Sequence, residues 1–213
     1  MAFWSSLGQT FFISLFSGQI RQTLSISHGD FGTYYAIATT ASALSLLWLG
    51  KLADTIRLEK LAMVVLGSLC FSAILFSQVS SLWMLVGGLY LLRMFGQGMM
   101  THVYTTAMAR RYVSTRGRAI SIAQLGQTLS ESIGPASIIA LLAFFDWRSL
   151  WIGLPIVAFC MLAPFIRYLT QRTRLQDGEG HRPRLPGDAL HVGRPKKQPD
   201  QRHGAENVAA GRV

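Results

Sequence analysis

The sequence predicts an all-α membrane protein of six transmembrane helices followed by a disordered tail. Three observations predict it. The chain of 213 residues is 50% hydrophobic and 14% charged, against about 25% charged in an average soluble domain. Half of its acidic residues and nearly half of its basic ones fall after residue 170, so an apolar body precedes a polar end. Within the body, Lys and Arg gather in every second loop between apolar runs.

A helix needs about 20 mostly apolar residues to cross about 30 Å of hydrocarbon. The body offers six such runs, at about 5–25, 32–52, 61–79, 82–107, 119–143 and 149–169. None alternates as a barrel strand would, and open strand edges have no partners in lipid. The first run has no basic lead and no small-residue cleavage site, so it reads as a span rather than a signal peptide. Cys70 and Cys160 both fall inside spans and read as small buried hydrophobes, with no disulfide or metal site implied.

Positive charge in short loops orients the spans. Lys51, Arg57 and Lys60 mark one inner loop, Arg110, Arg111, Arg116 and Arg118 another, and Arg172 and Arg174 follow the sixth run. Of the outer turns, 26–31 and 77–81 hold no Lys or Arg, and 144–148 holds Arg148 alone. Both termini are therefore expected in the cytoplasm. The net charge of +10 follows from these loops and the tail, and needs no nucleic-acid partner. The domains are then 1–170, a transmembrane bundle, and 171–213, a basic, Pro- and Gly-rich cytoplasmic tail. From 175 onward there is no Phe, Trp or Tyr, too little apolar surface to offset the entropy of ordering. Such an ending also fits a truncated or frameshifted chain.

Ionisable groups inside a membrane are costly and mark candidate pathways. Three lie well inside the runs: Arg21, Arg93 and Glu131. At 1.5 Å per residue, Glu131 lies roughly 18 Å and Arg93 roughly 16 Å deep, near the middle of a core about 30 Å thick. They are expected to form an ion pair or to share a water-filled cavity. Arg93 would attract an anion, and Glu131 would carry a proton. Arg21 lies nearer the outer face. His102 in the fourth run reads first as a packing residue. Gly87, Gly88, Gly96, Gly98 and Thr101 slim the fourth run, and Ala36, Thr39, Thr40, Ala43 and Ser45 the second. Close helix packing is the first explanation, with substrate lining second.

The segment Gly50-Lys51-Leu52-Ala53-Asp54 stands between the second and third runs. It resembles the loop between the second and third helices of the major facilitator superfamily, read there as Gly-x-Leu-Ala-Asp. Three further stretches resemble that family in order. They are Arg93-Met94-Phe95-Gly96-Gln97-Gly98 in the fourth run, Gly134-Pro135 in the fifth and Asp146-Trp147-Arg148 before the sixth. Thr55 and Leu58 depart from the family pattern, which has a basic residue and a glycine near those places. The resemblance covers about 5–170, about half of such a carrier. It implies the amino-terminal six-helix half of an alternating-access secondary transporter in the plasma (bacterial inner) membrane.

Further expectations come with the resemblance. Gly50, Leu52, Ala53 and Asp54 would form a cytoplasmic gating loop, and Arg93 would serve substrate or proton coupling. Physically, Pro135 removes a helix donor and should bend the fifth span, while Gly134 permits close approach of a neighbour. The partners expected are the lipid bilayer, a small-molecule substrate (an organic anion fits Arg93), a coupling proton, and a second six-helix half or a homodimer partner. No cofactor, metal or enzymatic activity is expected. The chain has no phosphate-cradling Gly-x-x-x-x-Gly-Lys run and no helix-spaced histidine pair. The alternative is a membrane protein that transports nothing, either a truncation product or a half that binds a partner.

Overall fold

A computed structural model describes residues 1–51 and 56–180. It is helical, with no strand among the described residues. The chain divides into two units, Met1–Arg172 and Thr173–Val213. Of the second, only the end of the last helix is described.

The helices fall on the apolar runs. A 3-10 turn, Trp4–Gly8, leads into α1 (Thr10–Leu15) and α2 (Ser17–Leu24). Then come α3 (His28–Leu49), α4 (Leu58–Ser77) and α5 (Leu82–Leu92). A π-helical segment, Arg93–Met100, continues α5 directly into α6 (Thr101–Arg111). The last two are α7 (Arg116–Leu142) and α8 (Trp147–Gly180). The first run is thus not one helix. Gln9 is extended, at φ −81° and ψ 153°, and Phe16 interrupts the helix again.

Six apolar spans were expected, but among the described residues only α4 and the Trp147–Tyr168 part of α8 are long and apolar enough to cross a membrane on that count alone. The physical reasons are visible. The first run is broken twice, the fourth is divided by the π segment, α3 carries many Ser, Thr and Tyr residues, and α7 carries Arg116, Arg118, Gln124, Gln127 and Glu131. The polar tail was expected from 171, yet α8 continues to Gly180. Gln171-Arg172-Thr173-Arg174-Leu175-Gln176 is free of Pro and Gly and rich in helix formers.

The core runs along α4. Leu61, Ala62, Val65, Leu66, Leu69, Ala73 and Phe76 repeat at helical spacing and are buried, as an inward stripe requires. They meet Leu85, Leu89 and Leu92 of α5, and Ile13, Phe16 and Ile20 of the first segment. Trp151 of α8 is 1% exposed. Its ring sits 5.4, 5.2 and 4.8 Å from those of Phe12, Phe16 and Phe76, binding three segments together. Cys70 is buried as expected, and its thiol donates to the Pro155 carbonyl at 3.2 Å. Cys160 is exposed, because it lies on the outward side of α8, and is not the buried hydrophobe expected.

Local chemistry sets the helix ends. Ser27 and Asp30 form a capping box at the start of α3, each side chain accepting from the other's backbone N–H at 3.1 Å. From the start of α8, Arg148 donates to the carbonyls of Ser77 (2.7 Å) and Val79 (3.1 Å), which the end of α4 leaves without intrahelical partners. Its guanidinium also lies 4.7 Å from the Trp147 ring centre. Trp147 itself is buried, at 7% exposure.

Candidate functional site

The site begins where two glycines cross. Gly8, at the end of the 3-10 turn, lies against Gly96 in the π segment, with no room for a side chain on either. Their missing side chains let the backbones touch. The crossing aims the Gly8 carbonyl and the Thr10 hydroxyl at Arg93. Arg93 donates to Thr10 Oγ1 at 3.0 Å and to the Gly8 carbonyl at 3.4 Å. Tyr35 of α3 donates to the same Thr10 oxygen at 2.8 Å, and the guanidinium lies 5.4 Å from the Tyr35 ring centre, a cation–π distance. Arg93 is thus held in one orientation by three groups.

Beside it opens a cleft of about 570 Å³, within the usual range for small-molecule sites. From α3 come Thr39, Ser42, Ala43 and Leu46, one helical stripe. From the fourth run come Arg93, Gln97 and Gly98, then Thr101, His102, Tyr104 and Thr105 of α6. Gln9 at the break and Gln124 and Gln127 of α7 complete it. The π segment widens the helix here, and such turns often mark functional sites. α4 and α8, the helices long and apolar enough to cross a membrane, contribute no described residue to the lining. Among the described lining residues Arg93 is the one permanent charge, and no carboxylate lines the cleft.

Three side-chain oxygens of lining residues, Thr39 Oγ1, Gln97 Oε1 and Thr101 Oγ1, are buried without a hydrogen-bond partner in the chain. His102 Nε2 lies 3.0 Å from the Gly50 carbonyl, which ties α6 to the end of α3. Tyr104 donates to Gln127 Oε1 at 3.4 Å, and Gln127 Nε2 donates to Glu131 Oε1 at 2.9 Å. A short polar chain therefore leads from the cleft to Glu131.

The expected residues fare differently. Arg93 lines the cleft. Glu131 does not, being exposed on α7; no ion pair joins it to Arg93, and its link to the cleft is Gln127. The depths of the two match, but the helix faces do not. Arg21 lies in α2, away from the cleft lining, and its buried Nε has no hydrogen-bond partner. Gly50 ends α3 and receives His102, whereas Leu52, Ala53 and Asp54 lie outside the described residues. α7 runs unbroken from Arg116 to Leu142 through Pro135. A Cβ on Gly134 would stand 3.5 Å from the Phe11 ring, in ordinary contact, so no tight approach demands glycine there. Sequence reasoning missed Thr10, Tyr35, Gln97, Gln124 and Gln127. A signal existed for the last two, since 124, 127 and 131 share one face at helical spacing.

A family model described as the Major Facilitator Superfamily matches residues 1–201. No curated protein matches the chain.

Proposed function

Because the chain belongs to the Major Facilitator Superfamily, a family of membrane transporters, we propose that it forms one six-helix half of an alternating-access carrier for a small organic anion. The observation that carries this reading is the cleft itself. It holds a fixed guanidinium and no carboxylate among its described lining residues. A cation so placed, in a site of low dielectric, favours an anion over a neutral or cationic solute.

In this reading all six runs cross the membrane, the interrupted and polar ones packed around the cleft, with α4 and α8 toward lipid. Buried in the wall between halves, the interruptions at Gln9 and the π segment are tolerated because irregular backbone then lines a cavity rather than meeting hydrocarbon. The basic loops lie in the cytoplasm with both termini, in the plasma membrane, the inner membrane of a bacterium. A facing six-helix half, whichever chain supplies it, completes the site and rocks against this one. Glu131, reached through Gln127, carries the coupling proton, and the Gly50 loop latches the inward end.

The test is uptake of labelled organic anions into cells expressing the chain, beside Arg93→Ala and Glu131→Gln. Saturable uptake lost in Arg93→Ala, with proton dependence lost in Glu131→Gln, supports the reading. Uptake that is indifferent to Arg93 defeats it. A second reading, a half that binds a partner without transporting, is favoured by the exposed apolar side chains of α7, Ile122, Leu125, Leu129 and Ile133. It predicts a protein that sits in the membrane, binds anions and moves none.

A further inference from the structure

We infer that the groove between α6 and α7 holds one anionic phospholipid of the cytoplasmic leaflet, with its phosphate at Arg118 and an acyl chain along the groove; the inference rests on the membrane reading above. It starts from two adjoining hollows. One, of about 430 Å³, lies between the end of α6 and the start of α7. The other, of about 490 Å³, reaches on to α4, α8 and the first residues of the chain. Met108, Ile122 and Ala123 line both, so the two form one groove. Among the described residues Tyr104 alone lines both this groove and the cleft at Arg93, which makes it a separate site.

The sequence of α7 builds the groove. Arg118, Ala119, Ile122, Ala123 and Gly126 line it and repeat at helical spacing, which puts them on one face. Ala119, Ala123 and Gly126 keep that face slim. From Arg118 to Gly126 the groove runs about 12 Å along α7, at about 1.5 Å per residue. Half of a hydrocarbon core about 30 Å thick is about 15 Å. The groove therefore runs from the basic loop inward over most of one leaflet.

Its charge sits at one end. Arg118 is the one Lys or Arg among the described lining residues, and it makes no hydrogen bond or ion pair among the described residues. Glu59 is the one carboxylate there, and it lies 3.5 Å from Arg57, which answers its charge. Most of the remaining lining is apolar, Met108, Ile122, Leu162 and Phe165 among it. A cation at the mouth of an apolar groove fits an amphiphile. The planar guanidinium pairs with phosphate through two parallel bonds, and the acyl chain covers apolar surface. A free anion would leave that surface bare. Arg110, Arg111 and Arg116 stand in the same loop, and basic clusters at the cytoplasmic ends of spans favour anionic headgroups over zwitterionic ones.

The experiment measures lipid binding to the purified full chain in detergent by native mass spectrometry, with dioleoylphosphatidylglycerol against dioleoylphosphatidylcholine. The expected result is about 10-fold tighter binding of the phosphatidylglycerol, in keeping with one hydrogen bond to a charged group. Arg118→Gln abolishes the preference and Arg118→Lys keeps part of it. Arg116→Gln leaves it, since Arg116 lines neither hollow. Ala123→Phe fills the groove where its two hollows meet and weakens binding of both lipids. The wild-type comparison and Arg118→Gln, at an exposed position, stand even if Ala123→Phe fails to fold.

Equal binding of the two lipids overturns the inference, as does a preference that Arg118→Gln leaves intact. Glycerophosphate bound as tightly as the phosphatidylglycerol would give Arg118 to a free anion and overturn it. Dimers that Ala123→Phe separates would give the groove to a second copy and overturn it too. Each of these outcomes leaves the membrane reading standing. A chain that alkaline carbonate strips from the membranes of the expressing cells defeats that reading itself, and this inference falls with it.

Discussion

Gly96 lies so close to Gly8 that a Cβ added to it would stand 2.6 Å from the Gly8 Cα. This contact sets the angle at which the first segment crosses the fourth run, and so the place of Thr10 beside Arg93. Gly96→Ala should force the segments apart and destabilise the bundle by about 1–3 kcal/mol, the usual cost of overpacking. Gly87→Ala is the control, since nothing lies within 4 Å of its would-be Cβ. Thermal melts of the two variants in detergent decide the matter; equal melting temperatures would show that the crossing yields easily.

Thr10 Oγ1 accepts from both Arg93 and Tyr35. Thr10→Val keeps the shape and removes the acceptor, leaving the guanidinium less well aimed. Anion affinity should fall by about 10-fold, in keeping with one hydrogen bond to a charged group, while Thr10→Ser retains most of it. Titrations of the three proteins test this. An unaffected Thr10→Val would mean that Tyr35 and the Gly8 carbonyl suffice to hold Arg93.

Arg148 ties the start of α8 to the end of α4 through two carbonyls. Arg148→Met keeps much of the packing over Trp147 but withdraws both donors. Stability should drop by about 1.5–3 kcal/mol. Arg148→Lys should recover only part, because a single ammonium does not reproduce a planar fork. Melting curves that superimpose on wild type would refute the clamp.

Asp30 accepts from the Ser27 hydroxyl and, second, from the Ser27 backbone N–H, and these bonds hold its carboxyl below the ordinary carboxylate pKa. The folded value lies below the unfolded one. The capping box therefore adds stability above the unfolded-state pKa, about 3.9, and loses it as pH falls through the folded value. The protection of first-turn amides of α3 against hydrogen exchange, taken relative to the intrinsic rate at each pH, should fall below about pH 4 in wild type. In Asp30→Asn it should change little over the same range. A wild-type profile as flat as the variant's would count against the box.

How far these features could be read in advance depends on what kind of information each needed. Helix positions were legible, because apolar runs and basic loops are properties of neighbouring residues. Leu58–Ser77 and Trp147 onward fall close to the runs expected at 61–79 and 149–169. The breaks at Gln9 and Phe16 were not legible, since a run of apolar residues does not reveal which backbone groups pair. Nor was the Gly8–Gly96 crossing, a contact between residues far apart in sequence. Arg93 stood out because a cation inside an apolar run is rare and costly, and the structure sets it in the cleft lining. Glu131 shows the limit of depth arithmetic, which gives height along a helix but not the direction around it. Gln97 was read only as part of the Arg93–Gly98 stretch, because its place in the cleft lining depends on contacts that the stretch itself does not show.

The π segment stores one residue's worth of extra backbone in the middle of the fourth run. A π turn bonds each N–H five residues back instead of four. Were the same residues to run as plain α-helix from Leu82 to Arg111, that surplus residue would no longer be absorbed. Every side chain beyond Met100 would then be rotated by about 100°, the angle per residue of an α-helix. Thr101, His102, Tyr104 and Thr105 would face elsewhere, while Arg93 kept its place. The cleft's two ends are thus phased separately: α5 sets the end at Arg93 and α6 the end at Thr101 to Thr105. The joint between them is a single surplus residue.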